Sequence, residues 1–222
     1  MCKVVLAVVE PLLDEWPQKT IWLQMSSVGA AEADQLVEVA AAHNVTLFDA
    51  PVSGSTHPAE EGHLTILASG PDSARGQVEP IFAALGSRVL WVGDAGMGSR
   101  LKLAANHWMI TMVAALAESM HLCRMMGLEQ RQFVTLLDGG PLGSSYGLEK
   151  LGEMQRHAYP AGFPVRLALK DLHLVREVAS SAKVELPLLD AVLERFGDVE
   201  NRRADDDLAA VYELELPSRA ER

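Results

Sequence analysis

The order of apolar periodicities along the chain constrains its fold more than any other feature. Up to residue 92, short apolar segments of strand length alternate with segments of helical periodicity, and after Gly98 only helical periodicity follows. The alternation predicts an α/β sheet with crossover helices, and the remainder predicts a purely helical region. We therefore expect an α/β part followed by an all-α part, with domains 1–96 and 97–222.

The individual elements follow from the same periodicity. The predicted strands are residues 21–25, 45–48, 62–68 and 89–92. The predicted helices are residues 30–42, 74–85, 101–126, 128–137, 148–157, 165–182 and 187–196.

Charge and cysteine content narrow the class of protein. The 222 residues carry a formal net charge of −11, and nucleic-acid binding needs a clustered basic surface, so we expect no nucleic-acid partner. The two cysteines, Cys2 and Cys123, lie far apart and lack metal-ligand spacing, which favours a reducing cytoplasm and no metal. The apolar run at residues 4–9 is too short to span a membrane. A small-molecule partner fits this composition best.

A glycine-broken turn in residues 92–106 leads from an apolar strand into a long helix. Lys102 and Asn106 lie four positions apart there, which places both side chains on one helix face. The residues around them are apolar on nearly every side, so we expect a buried helix. Its lysine is then neutralised, extended to solvent, or directed into a polar pocket. A lysine that simply reaches solvent near a helix start is the simplest alternative.

The motif Gly96-x-Gly98 in this turn invites comparison with a dinucleotide-binding loop. The third glycine is absent, and a long helix follows instead of a crossover that returns to a parallel strand. We interpret the glycines as the means by which the chain turns sharply and brings the Lys102 helix close to the sheet.

Two polar stretches follow predicted strands, where open α/β sheets place ligands. Ser53-Gly54-Ser55 can bind a carboxylate through backbone amides and hydroxyls, with an ordinary turn as the alternative. Ser26-Ser27 has the same position, with helix capping as the alternative.

Charged residues within the predicted helices leave more than one interpretation open. Lys170-Asp171 interrupts an apolar helix, and by spacing alone an exposed ion pair explains it. Glu118 is a possible buried partner within the long helix. The acidic run 205–207 is typical of a solvated segment or a helix N-terminus.

Three segments, taken in order, resemble the β-hydroxyacid dehydrogenase family. They are Asp49-Ala50-Pro51-Val52-Ser53-Gly54, then Gly96-x-Gly98-x-x-x-Lys102-x-x-x-Asn106, then Phe163 with Lys170-Asp171-Leu172. The family includes 3-hydroxyisobutyrate dehydrogenase, the glyoxylate/succinic semialdehyde reductases, tartronate semialdehyde reductase and, more distantly, 6-phosphogluconate dehydrogenase. The resemblance implies a partial Rossmann-like sheet followed by an all-helical domain. It also implies hydride transfer between NAD or NADP and a short hydroxyacid or semialdehyde.

The resemblance assigns roles to nine residues and implies no metal. Its catalytic residues are Lys102, which exchanges a proton with the substrate oxygen, and Asn106, which orients that oxygen. Its substrate-binding residues are Ser53, Gly54, Ser55 and Phe163, and its cofactor-binding residues are Ser27, Lys170 and Asp171. An apolar, closed environment lowers the pKa of a lysine ammonium, which suits proton exchange near neutrality.

The chain also departs from the family pattern. The amino-terminal G-x-G-x-x-G turn is missing, so we expect a chain truncated at its amino end, with weak or absent cofactor affinity. Ser55 stands where the family has a glycine, and Ala105 stands where the family often has Asn or His. These two differences leave the identity of the substrate undetermined, but not the class of reaction.

Two other functions also fit this sequence. One is a cofactor-less helical dimerisation module. The other is an imine reductase-like enzyme, although imine reductases usually lack a lysine at the Lys102 position. Family members are commonly homodimers or homotetramers, and the long apolar helix is the expected contact.

Overall fold

The structure is a computed structural model, and it describes residues 2–214. Its strands are β1 (Ile21–Gln24), β2 (Thr46–Asp49), β3 (Val52–Ser53), β4 (Leu64–Ala68) and β5 (Gly86–Trp91). Its α-helices are α1 (Cys2–Val9), α2 (Ala30–Ala42), α3 (Thr56–Glu60), α4 (Arg75–Leu85), α5 (Met97–Met125), α6 (Gln130–Leu137), α7 (Ser145–Arg156), α8 (Val165–Ala182) and α9 (Pro187–Arg203). Short 3₁₀ segments cover Glu10–Glu15, Asp72–Ala74 and Leu208–Glu213. The predicted α/β part followed by an all-α part is confirmed, since every described strand precedes α5.

Two helices begin earlier than periodicity alone predicts, because polar groups cap them. Helix α7 starts at Ser145 after the Ser144 hydroxyl accepts a hydrogen bond from the Gly147 amide at 3.0 Å. Helix α5 starts at Met97, and the amide of Ser99 in its first turn donates to the Asp49 carboxylate. Capping thus adds a first turn that carries little apolar periodicity.

The strands form two small sheets with matching connections. Strands β1 and β2 are parallel, with Leu23 opposite Phe48, and α2 links them. Strands β4 and β5 are also parallel and are linked by α4. Strand β3 runs antiparallel to β4, with Val52 opposite Ile66 and Ser53 opposite Thr65, so Ser53 lies in a short strand. An isolated bridge pairs Asp49 with Ser69.

The chain divides into two compact units, Met1–Ala105 with Leu174–Val184, and Asn106–His173 with Glu185–Arg222. Helices α5 and α8 therefore contribute residues to both units. The domain boundary between residues 96 and 97 stays a prediction.

Two apolar clusters form the core of the first unit. The first cluster includes Leu13, Trp22 and Leu36, and the partly buried Val5 and Leu6 of α1 pack against it. The second cluster comprises the buried residues Phe48, Ala50, Ile66, Ala68, Ala74, Val78 and Phe82. The amino-terminal apolar run is thus a packed helix. None of the helices in residues 2–214 is long and apolar enough to cross a membrane.

The second unit buries one stripe of α5. Its inward residues are Ile110, Val113, Ala117 and Met120, which recur at spacings of three and four. The prediction that α5 is buried on nearly every side is wrong, because Trp108 is 63% exposed and Leu122 is 48% exposed. A sequence cannot distinguish apolar surface that packs in the core from apolar surface that faces outward.

Candidate active site

The start of α5 lies against the backbone of neighbouring strands. A Cβ atom on Gly98 would lie 2.3 Å from the Leu67 carbonyl oxygen, 2.7 Å from the Asp49 carbonyl oxygen and 3.1 Å from Pro51 Cδ. Gly96 has φ +95°, a conformation that favours glycine. The interpretation of these glycines as turn and close-approach residues is therefore confirmed.

The buried carboxylate of Asp49 caps this helix from another element. Its Oδ2 accepts from the Ser99 amide and its Oδ1 from the Ser99 hydroxyl, each at 2.7 Å. The Gly98 amide donates to the Ser69 hydroxyl at 2.9 Å, and that hydroxyl donates to the Asp49 carbonyl at 2.8 Å. Burial raises the pKa of Asp49, and the hydrogen bonds from Ser99 oppose that rise.

These bonds decide how the glycine turn can be used. A dinucleotide pyrophosphate binds the unpaired amides and the positive end of a helix N-terminus. Here the amides of Gly98 and Ser99 already donate to protein groups, and a carboxylate occupies the position that an anion would take. At the start of α2, the Glu32 carboxylate accepts from the Gly29 amide at 2.7 Å. The turn at the start of α5 therefore does not fit the pyrophosphate of a dinucleotide.

Lys102 follows this capped turn and is half-buried. Lys102 lies three residues after Ser99 in the same helix, so the capped first turn fixes the position of the Lys102 backbone. Sequence reasoning missed Asp49 as a functional candidate, although an acidic residue that ends a buried strand was the available signal.

Residues 53–55, called the Ser53 segment below, follow Asp49 closely in the chain. Asp49 ends β2, and Ser53, four residues later, is exposed within β3. Gly54 has φ +135°, and a Cβ there would lie 2.7 Å from Leu64 Cδ2. Ser55 is half-buried and its carbonyl accepts from the Ala59 amide at 3.2 Å. The substrate-binding roles of Ser53, Gly54 and Ser55 stay predictions.

A chain of polar contacts joins the buried Asn106 and Asp171 to the half-buried Lys170. The Asn106 Nδ2 donates to Asp171 Oδ2 at 2.5 Å, and Lys170 Nζ lies 2.8 Å from Asp171 Oδ1. Asp171 is only 2% exposed, so an exposed ion pair is the wrong explanation for it. A carboxylate only accepts hydrogen bonds, so it fixes which edge of the Asn106 amide faces it.

Phe163 is held by the carboxyl-terminal segment. Its amide donates to Asp207 Oδ2 at 2.9 Å, and its carbonyl accepts from Leu208 at 3.0 Å. Asp207 is fully buried and caps the 3₁₀ segment through the Ala209 amide at 3.0 Å. The acidic run therefore ends in a helix cap, and a wholly solvated segment is the wrong interpretation.

Asp207 belongs to a buried charge cluster that the sequence did not reveal. Lys150 Nζ lies 3.0 Å from Asp207 Oδ1 and 2.9 Å from Glu153 Oε1. Burial is the largest cause that raises the pKa of Glu153 to about 7. Lys150 thus pairs with Glu153 and with Asp207, the residue that accepts from the Phe163 amide.

The remaining candidates have simpler placements. Ser27 is half-buried in the turn after β1, and its cofactor role stays a prediction. Glu118 is exposed, so its interpretation as a buried partner is wrong. Within residues 2–214 no group of three or more His, Cys, Asp or Glu side chains is arranged to hold a metal ion.

Two family models together match nearly the whole chain. Residues 2–93 match the NAD binding domain of 6-phosphogluconate dehydrogenase, and residues 96–214 match the NAD-binding domain of NADP-dependent 3-hydroxyisobutyrate dehydrogenase. The class of protein is therefore an oxidoreductase of the kind that uses NAD or NADP.

Individual relatives agree with this class. The chain is 31% identical over 193 residues to glyoxylate/succinic semialdehyde reductase 1 of Arabidopsis thaliana, covering 86% of this chain and 67% of the relative. It is 31% identical to 2-(hydroxymethyl)glutarate dehydrogenase of Eubacterium barkeri, covering 80% of this chain and 59% of the relative. The solved 3-hydroxyisobutyrate dehydrogenase of Salmonella typhimurium superposes with a TM-score of 0.85 at 25% identity, covering 96% of this chain and 75% of that one.

The chain belongs to the β-hydroxyacid dehydrogenase family. It spans about three fifths to two thirds of the length of the two curated relatives. The family assignment from the three ordered motifs is confirmed.

Proposed function

We propose that the chain carries the substrate-binding and proton-transfer residues of an NAD(P)-dependent oxidoreductase that interconverts a short hydroxyacid and its semialdehyde. Glyoxylate and succinic semialdehyde, which appear in the name of the plant relative, are the first substrates to try. Lys102 is the proposed proton donor and acceptor, and Asn106 the residue that orients the reacting oxygen.

The observation that carries this proposal is the buried Asn106–Asp171 contact. An asparagine in an apolar helix costs free energy unless its amide is satisfied, and the 2.5 Å bond to Asp171 fixes its plane. Lys102 precedes Asn106 by four residues within the continuous helix α5, so both side chains project from the same side of that helix. A fixed amide one turn from an amine suits a substrate oxygen that needs one hydrogen-bond partner and one proton donor.

The substrate carboxylate is assigned to residues 53–55. Ser53 and Gly54 are both exposed, so the Gly54 backbone and the Ser53 hydroxyl are accessible to a bound anion. Phe163, fixed by Asp207, is the proposed apolar wall, and Ser27 and Lys170 are the proposed cofactor contacts.

The chemistry follows from these assignments. In the reductive direction the Lys102 ammonium donates a proton to the carbonyl oxygen of the substrate. A reduced nicotinamide, when bound, would supply the hydride for the carbonyl carbon. Lys102 becomes a neutral amine and regains its proton from water. In the oxidative direction the same amine accepts the hydroxyl proton.

A second copy of the chain is the proposed protein partner. Trp108, Ala115 and Leu122 recur at intervals of seven on α5 and are all exposed, and Met125 continues this apolar stripe. Seven-residue spacing aligns side chains along one helix edge, which suits packing against an identical helix. A homodimer or homotetramer through the helical region is therefore expected.

A cofactor-less dimerisation module is the second candidate. It is favoured by Asp49, whose carboxylate already accepts from the first turn of α5 and takes the position that an anion would occupy there. An imine reductase-like function is less well supported, because the chain has a lysine at position 102.

Turnover and cofactor binding distinguish these candidates. NADPH and NADH are titrated against tryptophan fluorescence, and their oxidation is followed with succinic semialdehyde and with glyoxylate. The proposal predicts turnover that falls at least about 100-fold in Lys102→Met. The matched control Lys183→Met changes an exposed lysine and keeps full turnover.

Two results would contradict the enzyme. One is equal turnover in Lys102→Met and Lys183→Met, which removes Lys102 from the reaction. The other is a fluorescence signal that neither dinucleotide changes, which favours the dimerisation module.

A further inference from the structure

The junction between Asp49 and α5 contains a side-chain hydrogen bond in addition to the backbone bonds of a helix start. One buried carboxylate accepts from both the amide and the hydroxyl of Ser99, each at 2.7 Å. The amide bond satisfies one of the four backbone amides that lack partners at a helix start, and the hydroxyl bond adds directional control. Two donors on one residue fix the carboxylate and that residue relative to each other.

Asp49 is itself fixed to the sheet. Its amide donates to the Ser69 carbonyl at 3.0 Å, and the Ser69 amide donates to the Asp49 carbonyl at 2.9 Å. The Ser69 hydroxyl then links Asp49 to the Gly98 amide. The first turn of α5 is therefore attached to β2 through two independent routes.

The electrostatics of this junction favour a fixed helix. A 29-residue helix presents a positive N-terminal end, which attracts an anion. In this chain the anion is the Asp49 carboxylate, held by the protein itself. A Cβ on Gly98 has no room, so the helix backbone lies in contact with the strand backbone.

We propose that Asp49 is a positioning residue that sets the location of Lys102 relative to the Ser53 segment. This inference rests on the proposed function of Lys102. Both segments start from Asp49: Ser53 follows it by four residues, and Lys102 lies one turn beyond its hydrogen-bond partner Ser99. Removing the carboxylate releases the first turn of α5 and displaces the Lys102 amine.

The test compares three variants of the full chain. Asp49→Asn removes the negative charge and replaces one of the two carboxylate acceptors by an amide NH₂. Ser99→Ala removes only the hydroxyl bond, in case the first variant fails to fold. Asp34→Asn is the matched control, because Asp34 pairs with Arg100 of the same turn at 2.8 Å but on the exposed surface. Asp34 has no part in the proposed site.

Three readouts separate positioning from plain stability. In Asp49→Asn the amides of residues 98–102 exchange hydrogen about tenfold faster or more, the effect of losing a bond to a charged group. Turnover falls about 100-fold with KM nearly unchanged, since a displaced amine lowers kcat rather than substrate binding. Acetylation of Lys102, measured against the exposed Lys19 and Lys183, changes by at least about threefold because the loosened turn shields it differently. Ser99→Ala gives the same changes at smaller size, and Asp34→Asn gives none.

Each contrary outcome has a distinct meaning. Faster exchange with unchanged turnover and unchanged Lys102 acetylation gives Asp49 a structural role only and overturns the proposal. Unchanged exchange in both Asp49→Asn and Ser99→Ala also overturns it. Full turnover in Lys102→Met overturns the proposed function instead, whatever the exchange shows. If the native chain shows no turnover, the acetylation ratio alone decides.

Discussion

Replacing Lys150 by methionine tests the buried charge cluster beneath Phe163. Lys150 is 2% exposed, and its ammonium lies within 3.0 Å of both Glu153 and Asp207. Methionine keeps the aliphatic length but leaves two buried carboxylates without their cation. Removing one partner of a buried ion pair typically costs about 3–5 kcal/mol, because the remaining charge is uncompensated. We expect Lys150→Met to lower the free energy of unfolding by about that amount.

The matched control uses a third carboxylate on the same lysine. Glu149 lies 3.4 Å from Lys150 Nζ but is 59% exposed, so water solvates it whether or not it is paired. Glu149→Gln should cost less than about 1 kcal/mol. Urea unfolding of the native chain and both variants at pH 7, followed by circular dichroism, provides the comparison.

The location of the loss is also predicted. Asp207 accepts from the amides of Gly162 and Phe163, so these amides should exchange hydrogen faster in Lys150→Met than in Glu149→Gln. The reasoning is refuted if Lys150→Met costs no more than Glu149→Gln, since the cluster would then be open to solvent.

Three further changes have definite expected results. The pKa of Glu153 is raised to about 7, so its protonated form stabilises the fold fully below about pH 4.5, and this stability is lost as the pH rises to about 7. Glu153→Gln mimics the protonated form, so its free energy of unfolding should exceed that of the native chain above pH 7 and match it near pH 4.5. Urea unfolding that gives the same free-energy difference at every pH in this range contradicts the raised pKa. Gly98→Ala should lower the free energy of unfolding by about 2 kcal/mol or more, because its Cβ has no room. Gly76→Ala, whose Cβ would meet open space, should not destabilise the fold, and equal effects of the two substitutions refute the close approach at Gly98. Leu122→Glu should lower the mass measured by analytical ultracentrifugation, while Leu142→Glu should leave it unchanged. An oligomer that persists in both variants excludes this face of α5.

Periodicity predicted the order of elements because local apolar patterns decide helix or strand. The strands at Ile21–Gln24 and Leu64–Ala68 fall within the predicted segments, as does the change to helices after residue 97. Two boundary errors occur where capping by Ser144 or Asp49 adds a turn that hydropathy does not register. Strand β5 also begins before the predicted residue 89, and α9 continues beyond the predicted residue 196.

The contacts that build the candidate site could not be predicted in the same way. Asn106 and Asp171 lie 65 positions apart, and Asp49 and Ser99 lie 50 apart. Such pairs form only once the elements have packed, so no local pattern encodes them. The family resemblance identified Asn106 and Asp171 separately, but only coordinates reveal that one fixes the other.

The exposed side of α5 marks another limit. Leu122 and Ile110 are equally apolar in sequence, yet one is 48% exposed and the other is fully buried. Hydropathy reports that a side chain avoids water but not whether its own core or a partner provides the cover.

The most direct test of Lys102 as the proton donor is amine rescue of Lys102→Ala during NADPH-dependent reduction of succinic semialdehyde. We expect turnover to fall about 100-fold to 10,000-fold and to rise again in proportion to added ethylammonium, which carries a transferable proton. Tetramethylammonium, a cation without an N–H, should restore nothing. Turnover in Lys102→Ala within tenfold of the native chain, without any added amine, would contradict the assignment.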